Sequence, residues 1–429
     1  MNFNIITLGC KVNQYESQAM REELLKNGFE LAENSVADIT IINSCTVTSV
    51  SDAKNRKIIN KIRRENPDGI IILTGCMPQA FPDKTENFEN CDIVLGNAKR
   101  AELVPAIKEY IENHMKHIFI TPHPKKDERF EDLSVSSLGE HTRAFIKIED
   151  GCNRFCSYCI IPYARGRVRS KSLESLKNET QKIAENGYKE IVLVGINLSA
   201  YGQDEGLNLA DAVECVCAQE GIERVRLGSV EPEQMDEPMI KRLAAQPKFC
   251  PQFHLSLQSG CDNTLRAMNR HYDAAEYSQI VSNIRKTFDN SSITTDVMVG
   301  FAGETEENFK TSMDFVRKIG FAKVHVFPYS RRKGTVADKA PNQISPSIKD
   351  ERAKEMGDLV AKSRLEFLKS QVGRREEVLI ERLRHDCLEG YTKNYTPVHI
   401  NSKNAELCGK IVEIRILSAE DDFCIGELI

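Results

Sequence analysis

The sequence predicts an α/β chain: an N-terminal doubly wound parallel α/β domain (1–115), a linker (116–141), a central partial (β/α)6 barrel (142–370) and a small all-β barrel (371–429). Three observations carry this. Short apolar runs alternate with helix-length amphipathic runs in two separate blocks. Between the blocks lies a stretch rich in Pro, Ser and charge with no apolar period. The last sixty or so residues hold only short strand-like runs and turn residues.

In order, the first block reads NFNIITLG, ESQAMREELLKNG, ADITIINS, SVSDAKNRKIINKIRREN, GIIILTG, CDIVLG and KRAELVPAIKEYIENH, the alternation of βαβ units on a parallel sheet. The second begins at RAFIKIE (143–149) and recurs at EIVLVG (190–195), RVRLGS (224–229), FHLSLQ (253–258), ITTDVMVG (293–300) and KVHVFPYS (323–330). Six βα units fall short of the eight of a closed barrel, so an open one is expected, with reactive groups at the strand ends. A long polar helix (347–370) follows, and EEVLIERL, LEGYTKNYTPVHI, GKIVEIRIL and FCIGELI supply the final strands.

Composition narrows the function. The 429 residues carry 58 basic and 63 acidic side chains, a formal charge of −5, so a polyanionic partner needs a local basic patch. The N-terminal MNFNIITLGCKVN lacks a basic region and a cleavage site, and no apolar run nears the roughly 18–20 residues of a membrane span. A cytoplasmic protein with no membrane partner is expected, a monomer by default. In a reducing compartment its 14 cysteines point to metal or redox chemistry rather than disulfides.

Cys152, Cys156 and Cys159 form a CxxxCxxC cluster in the loop after the first barrel strand. Three thiolates in one loop suit three irons of a cubane cluster, whereas zinc ribbons use two separated pairs; three unrelated loop thiols are the bland alternative. Cys10, Cys45 and Cys76 each end a predicted parallel strand, in IITLGC, ITIINSC and IIILTGC. Strand carboxyl ends share one edge of a doubly wound sheet, so these three either converge there or are separate buried thiols. Cys91, at the opposite end of its strand, reads as packing, and the remaining seven cysteines as structural.

TLGCKVNQYES, INSCTV, LTGCMPQ and GCNRFCSYCIIPYARGR together resemble the radical S-adenosylmethionine methylthiotransferases, over essentially the whole chain. That resemblance implies two [4Fe–4S] clusters, one on Cys152, Cys156 and Cys159 and one on Cys10, Cys45 and Cys76, and a TRAM-type RNA-binding barrel at the C-terminus. It makes the barrel face the S-adenosylmethionine pocket, with Tyr158, Gly195, Asn197, Ser229, Glu231, Gln258 and Asp296 as candidate contacts. VMVGFAGETEENF departs from the family pattern in carrying Ala302 where proline is usual, which implies a less rigid turn.

Arg165, Arg167, Arg169, Arg331, Arg332 and Lys333 cluster near the expected mouth and are read as RNA contacts, with Arg374, Arg375, Lys393 and Lys410 on the terminal barrel. The implied reaction is methylthiolation of adenosine 37 in the tRNA anticodon loop, where a base can be splayed out. It needs an electron donor and a sulfur source. GCKVNQYES most resembles the subgroup acting on N6-threonylcarbamoyladenosine. The alternatives are an N6-isopentenyladenosine enzyme, a ribosomal-protein-modifying one, a non-catalytic iron–sulfur RNA-binding sensor and a zinc module.

Overall fold

The first alternating block forms one parallel sheet whose central strands are buried on both faces. The structure is a computed structural model that describes residues 1–33, 36–84, 88–123, 129–136 and 142–429. Its N-terminal part runs β1 (Asn2–Thr7), α1 (Lys11–Lys26), β2 (Glu30–Leu31), β3 (Ile39–Ser44), α2 (Ser49–Glu65), β4 (Ile70–Gly75), α3 (Cys76–Ala80), β5 (Ile93–Leu95), α4 (Leu103–Asn113) and β6 (His117–Phe119). The strand order is β2-β1-β3-β4-β5-β6, all parallel. Every residue of β3 and β4 is buried, which is why ITIINS and IIILTG read as continuous apolar runs rather than alternating ones. The chain goes outward one way from β1 to β2 and the other way through β3, so the switch point lies between β1 and β3.

Two details differ from the sequence reading. β6 falls inside the stretch expected to be linker, and it pairs with β5 through three residues, too short a run to register as a period. Part of that linker also packs: Val135 is fully buried, and the Leu133 carbonyl accepts from Tyr15 Oη at 2.6 Å. Its residues 124–128 and 137–141 lie outside the described residues.

The barrel follows as β7 (Arg143–Lys147), β8 (Glu149–Asp150), α5 (Ile161–Arg165), β9 (Arg169–Ser170), α6 (Leu173–Glu185), β10 (Glu190–Val194), α7 (Leu209–Cys217), β11 (Arg224–Leu227), β12 (Ser229–Val230), α8 (Glu237–Ala244), β13 (Gln252–Leu255), α9 (Asp262–Ala267), α10 (Ala274–Thr287), β14 (Ser292–Val299), α11 (Glu306–Ile319), β15 (Lys323–Pro328) and α12 (Pro346–Ser370). Helix starts are set by side-chain caps: Ser172 accepts from Ser175 N, and Asp273 with Glu276 forms a capping box on α10. β11 pairs with β10 and β12 with β13, so Gly228 splits the third unit between two sheets, β11-β10-β7 and β12-β13-β14-β15. The six units thus curve into an open barrel with β7 and β15 at its edges. α1 packs beside β7 and α12 beside β15.

β16 (Arg375–Arg384), β17 (Cys387–Thr392), β18 (Pro397–Asn401), β19 (Ile411–Ala419) and β20 (Cys424–Leu428) close into a barrel. It docks on the amino ends of the central strands. Arg224 donates to the Tyr391 and Glu377 carbonyls at 3.1 and 2.8 Å, and Ser292 Oγ to the Asn394 carbonyl at 2.5 Å. No helix among the described residues is long and apolar enough to cross a membrane.

Candidate active site

Cys10, Cys45 and Cys76 follow β1, β3 and β4, flanking the switch point, and the structure brings them together. A β-carbon placed on Gly9 (φ 104°) would lie 2.7 Å from Cys45 Cβ, so only glycine lets the two loops approach this closely. Asn13 pins the loops by donating to the Leu8 and Ser44 carbonyls at 2.7 and 3.0 Å. Burial raises the thiol of Cys10, although one side of that residue stays open to solvent, and pushes that of Cys45 up to about 11. Cys76 and Cys10 each add to the rise at Cys45, as close neighbouring thiolates do.

Arg165 reaches this triplet from the barrel side. Its Nε–H donates to Cys76 Sγ at 3.3 Å, Nη2 to Asn13 Oδ1 at 2.7 Å, and its two Nη atoms to the Glu16 oxygens at 2.5 and 3.0 Å. Around it, Arg100, Lys147 and Arg169 face Glu16, Asp150 and Glu131 in a largely buried network. Four cations with Arg165 oppose three carboxylates, an excess suited to thiolates beside them.

The second triplet lies in the loop after β8. The Cys152 N–H donates to the Gly166 carbonyl at 3.0 Å and that of Cys159 to the Cys156 carbonyl at 2.9 Å, which folds the loop back on itself. Burial pushes Cys152 and Cys159 up to about 12; Cys156 raises both further, and Cys152 also raises Cys159. Arg270 Nη1 donates to Cys156 Sγ at 3.3 Å, and its Nη2 pairs with Glu231. Each triplet therefore has one buried arginine N–H on a sulfur.

The other expected contacts are placed as follows. Asn197 is buried, its Oδ1 has no partner among the described residues, and its backbone N–H donates to Glu149 Oε2 at 2.7 Å. Gly195 packs against the same carboxylate. Burial and neighbouring Asp150 hold the fully buried Glu149 carboxyl well above the usual range. Glu231 is engaged by Arg270, and Ser229 is exposed on β12. Gln258 adopts φ 64° and exchanges backbone hydrogen bonds with Asp296 and Met298. Asp296 lies 3.4 Å from His254 Nε2, and with His325 their donor atoms fall within 4.8 Å of one another. Tyr158 packs edge-on to Phe301 at 6.3 Å. The turn carrying Ala302 is firmly held despite the missing proline: Gly303 N donates to the Asn342 carbonyl at 3.0 Å and Gly300 N to Glu304 Oε2 at 2.7 Å.

The basic cluster requires correction. Arg165, Arg169 and Arg332 are buried and committed to internal partners, so they are not a surface for phosphates. Arg169 donates to the carbonyls of Arg165 and Arg167, and Arg332 to Thr46 and Asp52 at 2.7 and 2.9 Å, tying the end of the sixth barrel unit to the loop after Cys45. Arg167, Arg331 and Lys333 stay exposed; Arg331 pairs with Asp338 at 3.2 Å. Two further residues of the site, Glu149 and Arg270, lie outside the sequence motifs. An acid ending the strand ahead of the cysteine loop was a usable signal for the first, but nothing local marks the second.

Residues 2–96 match the family model described as Uncharacterized protein family UPF0004, 146–316 the Radical SAM superfamily and 369–429 the TRAM domain. The threonylcarbamoyladenosine tRNA methylthiotransferase MtaB of Aquifex aeolicus (strain VF5) is 36% identical over 96% of this chain and 98% of its own. That of Bacillus subtilis (strain 168) is 35% identical over 99% and 95%. A tRNA-2-methylthio-N(6)-dimethylallyladenosine synthase of Caldicellulosiruptor saccharolyticus (strain ATCC 43494 / DSM 8903 / Tp8T 6331) is 34% identical over 100% and 92%. Among solved structures, the radical S-adenosylmethionine methyltransferase TsrM from Kitasatospora setae shares the fold, with a TM-score of 0.60 and 14% identity over 79% of this chain and 73% of that one.

Proposed function

This chain belongs to the radical S-adenosylmethionine tRNA methylthiotransferase family, and on that premise we propose that it adds a methylthio group to C2 of N6-threonylcarbamoyladenosine at position 37 of tRNA. One observation carries the reading: Arg165, on the short helix that follows the Cys152–Cys159 loop, reaches into the N-terminal domain to donate to Cys76 and pair with Glu16, so the two triplet-bearing domains are locked to each other. A non-catalytic sensor would keep both triplets but would need no cofactor pocket.

The donor sets fit two [4Fe–4S] clusters. Each has three thiols near enough to influence one another and an arginine N–H on one sulfur. Cys10, Cys45 and Cys76 would hold one cluster and Cys152, Cys156 and Cys159 the other. When bound, these groups and S-adenosylmethionine supply the electron, the hydrogen abstraction from adenine C2, and the sulfur and methyl of the product.

The chain's own residues prepare the site. Arg165 and Arg270 stabilise thiolate charge at Cys76 and Cys156, and Glu231 keeps Arg270 from swinging away. Glu149 fixes the Gly195–Asn197 turn, leaving the Asn197 amide oxygen free for the amino group of the cofactor's methionyl end. Tyr158, Ser229, Gln258 and Asp296 complete the proposed pocket. Arg167, Arg331 and Lys333 remain as phosphate contacts. An electron donor and a sulfur source complete the reaction.

The test is nucleoside mass spectrometry of tRNA from a deletion strain. Loss of 2-methylthio-N6-threonylcarbamoyladenosine with its unthiolated precursor retained is expected. Loss of the 2-methylthio dimethylallyl nucleoside would transfer the assignment to the other substrate, and an unchanged profile would overturn both.

A further inference from the structure

The start of α1, the open side of the central barrel and the terminal barrel together line a cavity of about 720 Å³. Leu227 and Asp296 of the central strands contribute to its wall, Tyr391 and Asn394 come from the terminal barrel, and Lys11, the first residue of α1, comes from the N-terminal domain. Its charged groups differ in how far they are already used. Arg226 is bound to Glu190 and to the Lys393 carbonyl, Arg364 to the Ala322 and Asp422 carbonyls, and Asp296 lies against His254. Lys11 has no hydrogen bond or ion pair among the described residues; its Nζ lies 5.7 Å from the Phe145 ring centroid. Lys323 is also unpaired among the described residues, but it opens β15 at the opposite, amino end of the strands.

Resting on the reading above, we infer that Lys11 is a specificity-determining residue whose ammonium pairs with the carboxylate of the threonyl group on N6 of the target adenosine. The adenine ring supplies the geometric argument. C2 and C6 are separated only by N1, so a base that offers C2 to the edge carrying Cys10 must direct its N6 substituent at residues adjoining that edge. Lys11 is the next residue in the chain, and it lines this cavity, whose polar wall can take a polar substituent. Lys11 also belongs to the GCKVNQYES segment that sets the subgroup resemblance. A carboxylate gives this ammonium the anionic partner that no described residue supplies, whereas a dimethylallyl group would desolvate it with no return. The polar wall at His254 and His325 suits the hydroxyl and urea groups beside the carboxylate.

The test uses the full-length, anaerobically reconstituted protein and fluorescence anisotropy with three labelled anticodon stem–loops. These carry at position 37 the threonylcarbamoyl adenosine, its threoninol analogue (carboxylate replaced by hydroxymethyl), or the dimethylallyl adenosine. The native protein is expected to bind the carboxylate RNA about tenfold or more tightly than the threoninol RNA. Lys11→Met should bring the two within about twofold by weakening the carboxylate RNA alone, with unchanged threoninol binding reporting an intact fold. Lys11→Arg should restore the preference, and Lys323→Met should leave it in place. Equal weakening of both RNAs by Lys11→Met, or a preference that survives it, overturns this inference while leaving the substrate reading standing. A native protein that prefers the dimethylallyl RNA overturns the substrate reading itself.

Discussion

Replacing Arg165 with Met removes a fully buried guanidinium that holds Glu16 in a two-pronged grip, Asn13 at 2.7 Å and the Cys76 sulfur at 3.3 Å. Breaking a buried pair from one side typically costs about 3–5 kcal/mol, because the partner is left uncompensated. Here Glu16 keeps Arg100 and Lys147, and the local cationic excess is relieved, so the lower end, about 3 kcal/mol, is expected. Glu16→Gln should cost as much or more, since it leaves four cations facing only Asp150 and Glu131. In the double variant neither charge is stranded, and the two costs should fall short of additivity by about 2 kcal/mol. The chain has no tryptophan, so urea unfolding of the metal-free protein is followed by far-ultraviolet circular dichroism. With a slope of about 3 kcal/mol/M, each single variant should lower the midpoint of the first transition by about 1 M. Additive losses would refute the coupling, and a shift below about 0.3 M for Arg165→Met would refute the claim that this network joins the domains.

Three other outcomes are expected. Burial works against ionisation of Glu16, but Arg100, Arg165 and Lys147 outweigh it and hold the carboxyl down to about 2. Its stabilisation is therefore complete above the unfolded value of about 4.3 and is lost as pH falls toward 2; thermal scans across that window should show a loss of up to about 3 kcal/mol that Glu16→Gln lacks. A β-carbon on Gly151 would sit 1.9 Å from the Arg167 carbonyl oxygen at a φ of 89°, so Gly151→Ala should open the Cys152 loop; iron and acid-labile sulfide should fall while the Cys10 triplet keeps its share. Cys152→Ala should abolish 5′-deoxyadenosine formation, whereas Cys10→Ala should retain it and lose thiolation; equal loss in both would show that the triplets do not divide the work as proposed.

Much of this site was legible because its rules are local or topological. The CxxxCxxC loop is a matter of spacing within eight residues. Cys10, Cys45 and Cys76 are far apart in sequence, yet parallel pairing of β1, β3 and β4 forces their carboxyl ends onto one edge. β6 escaped notice because three residues carry no usable period.

The sequence by itself determined the order of elements, the two triplets and the family, since apolar periodicity and ligand spacing are written along the chain. Only the tertiary structure decided what the charges do. Arg165, Arg169 and Arg332 look like the cations of an RNA-binding mouth, but Glu16 is 149 residues from Arg165 and Asp52 is 280 from Arg332. Sequence gives a side chain's charge, but burial depends on which distant segments fold over it, and a cation enclosed with its carboxylate holds domains together rather than facing solvent. For the same reason Lys11 reads as an ordinary helix-starting lysine until three domains close a cavity around it.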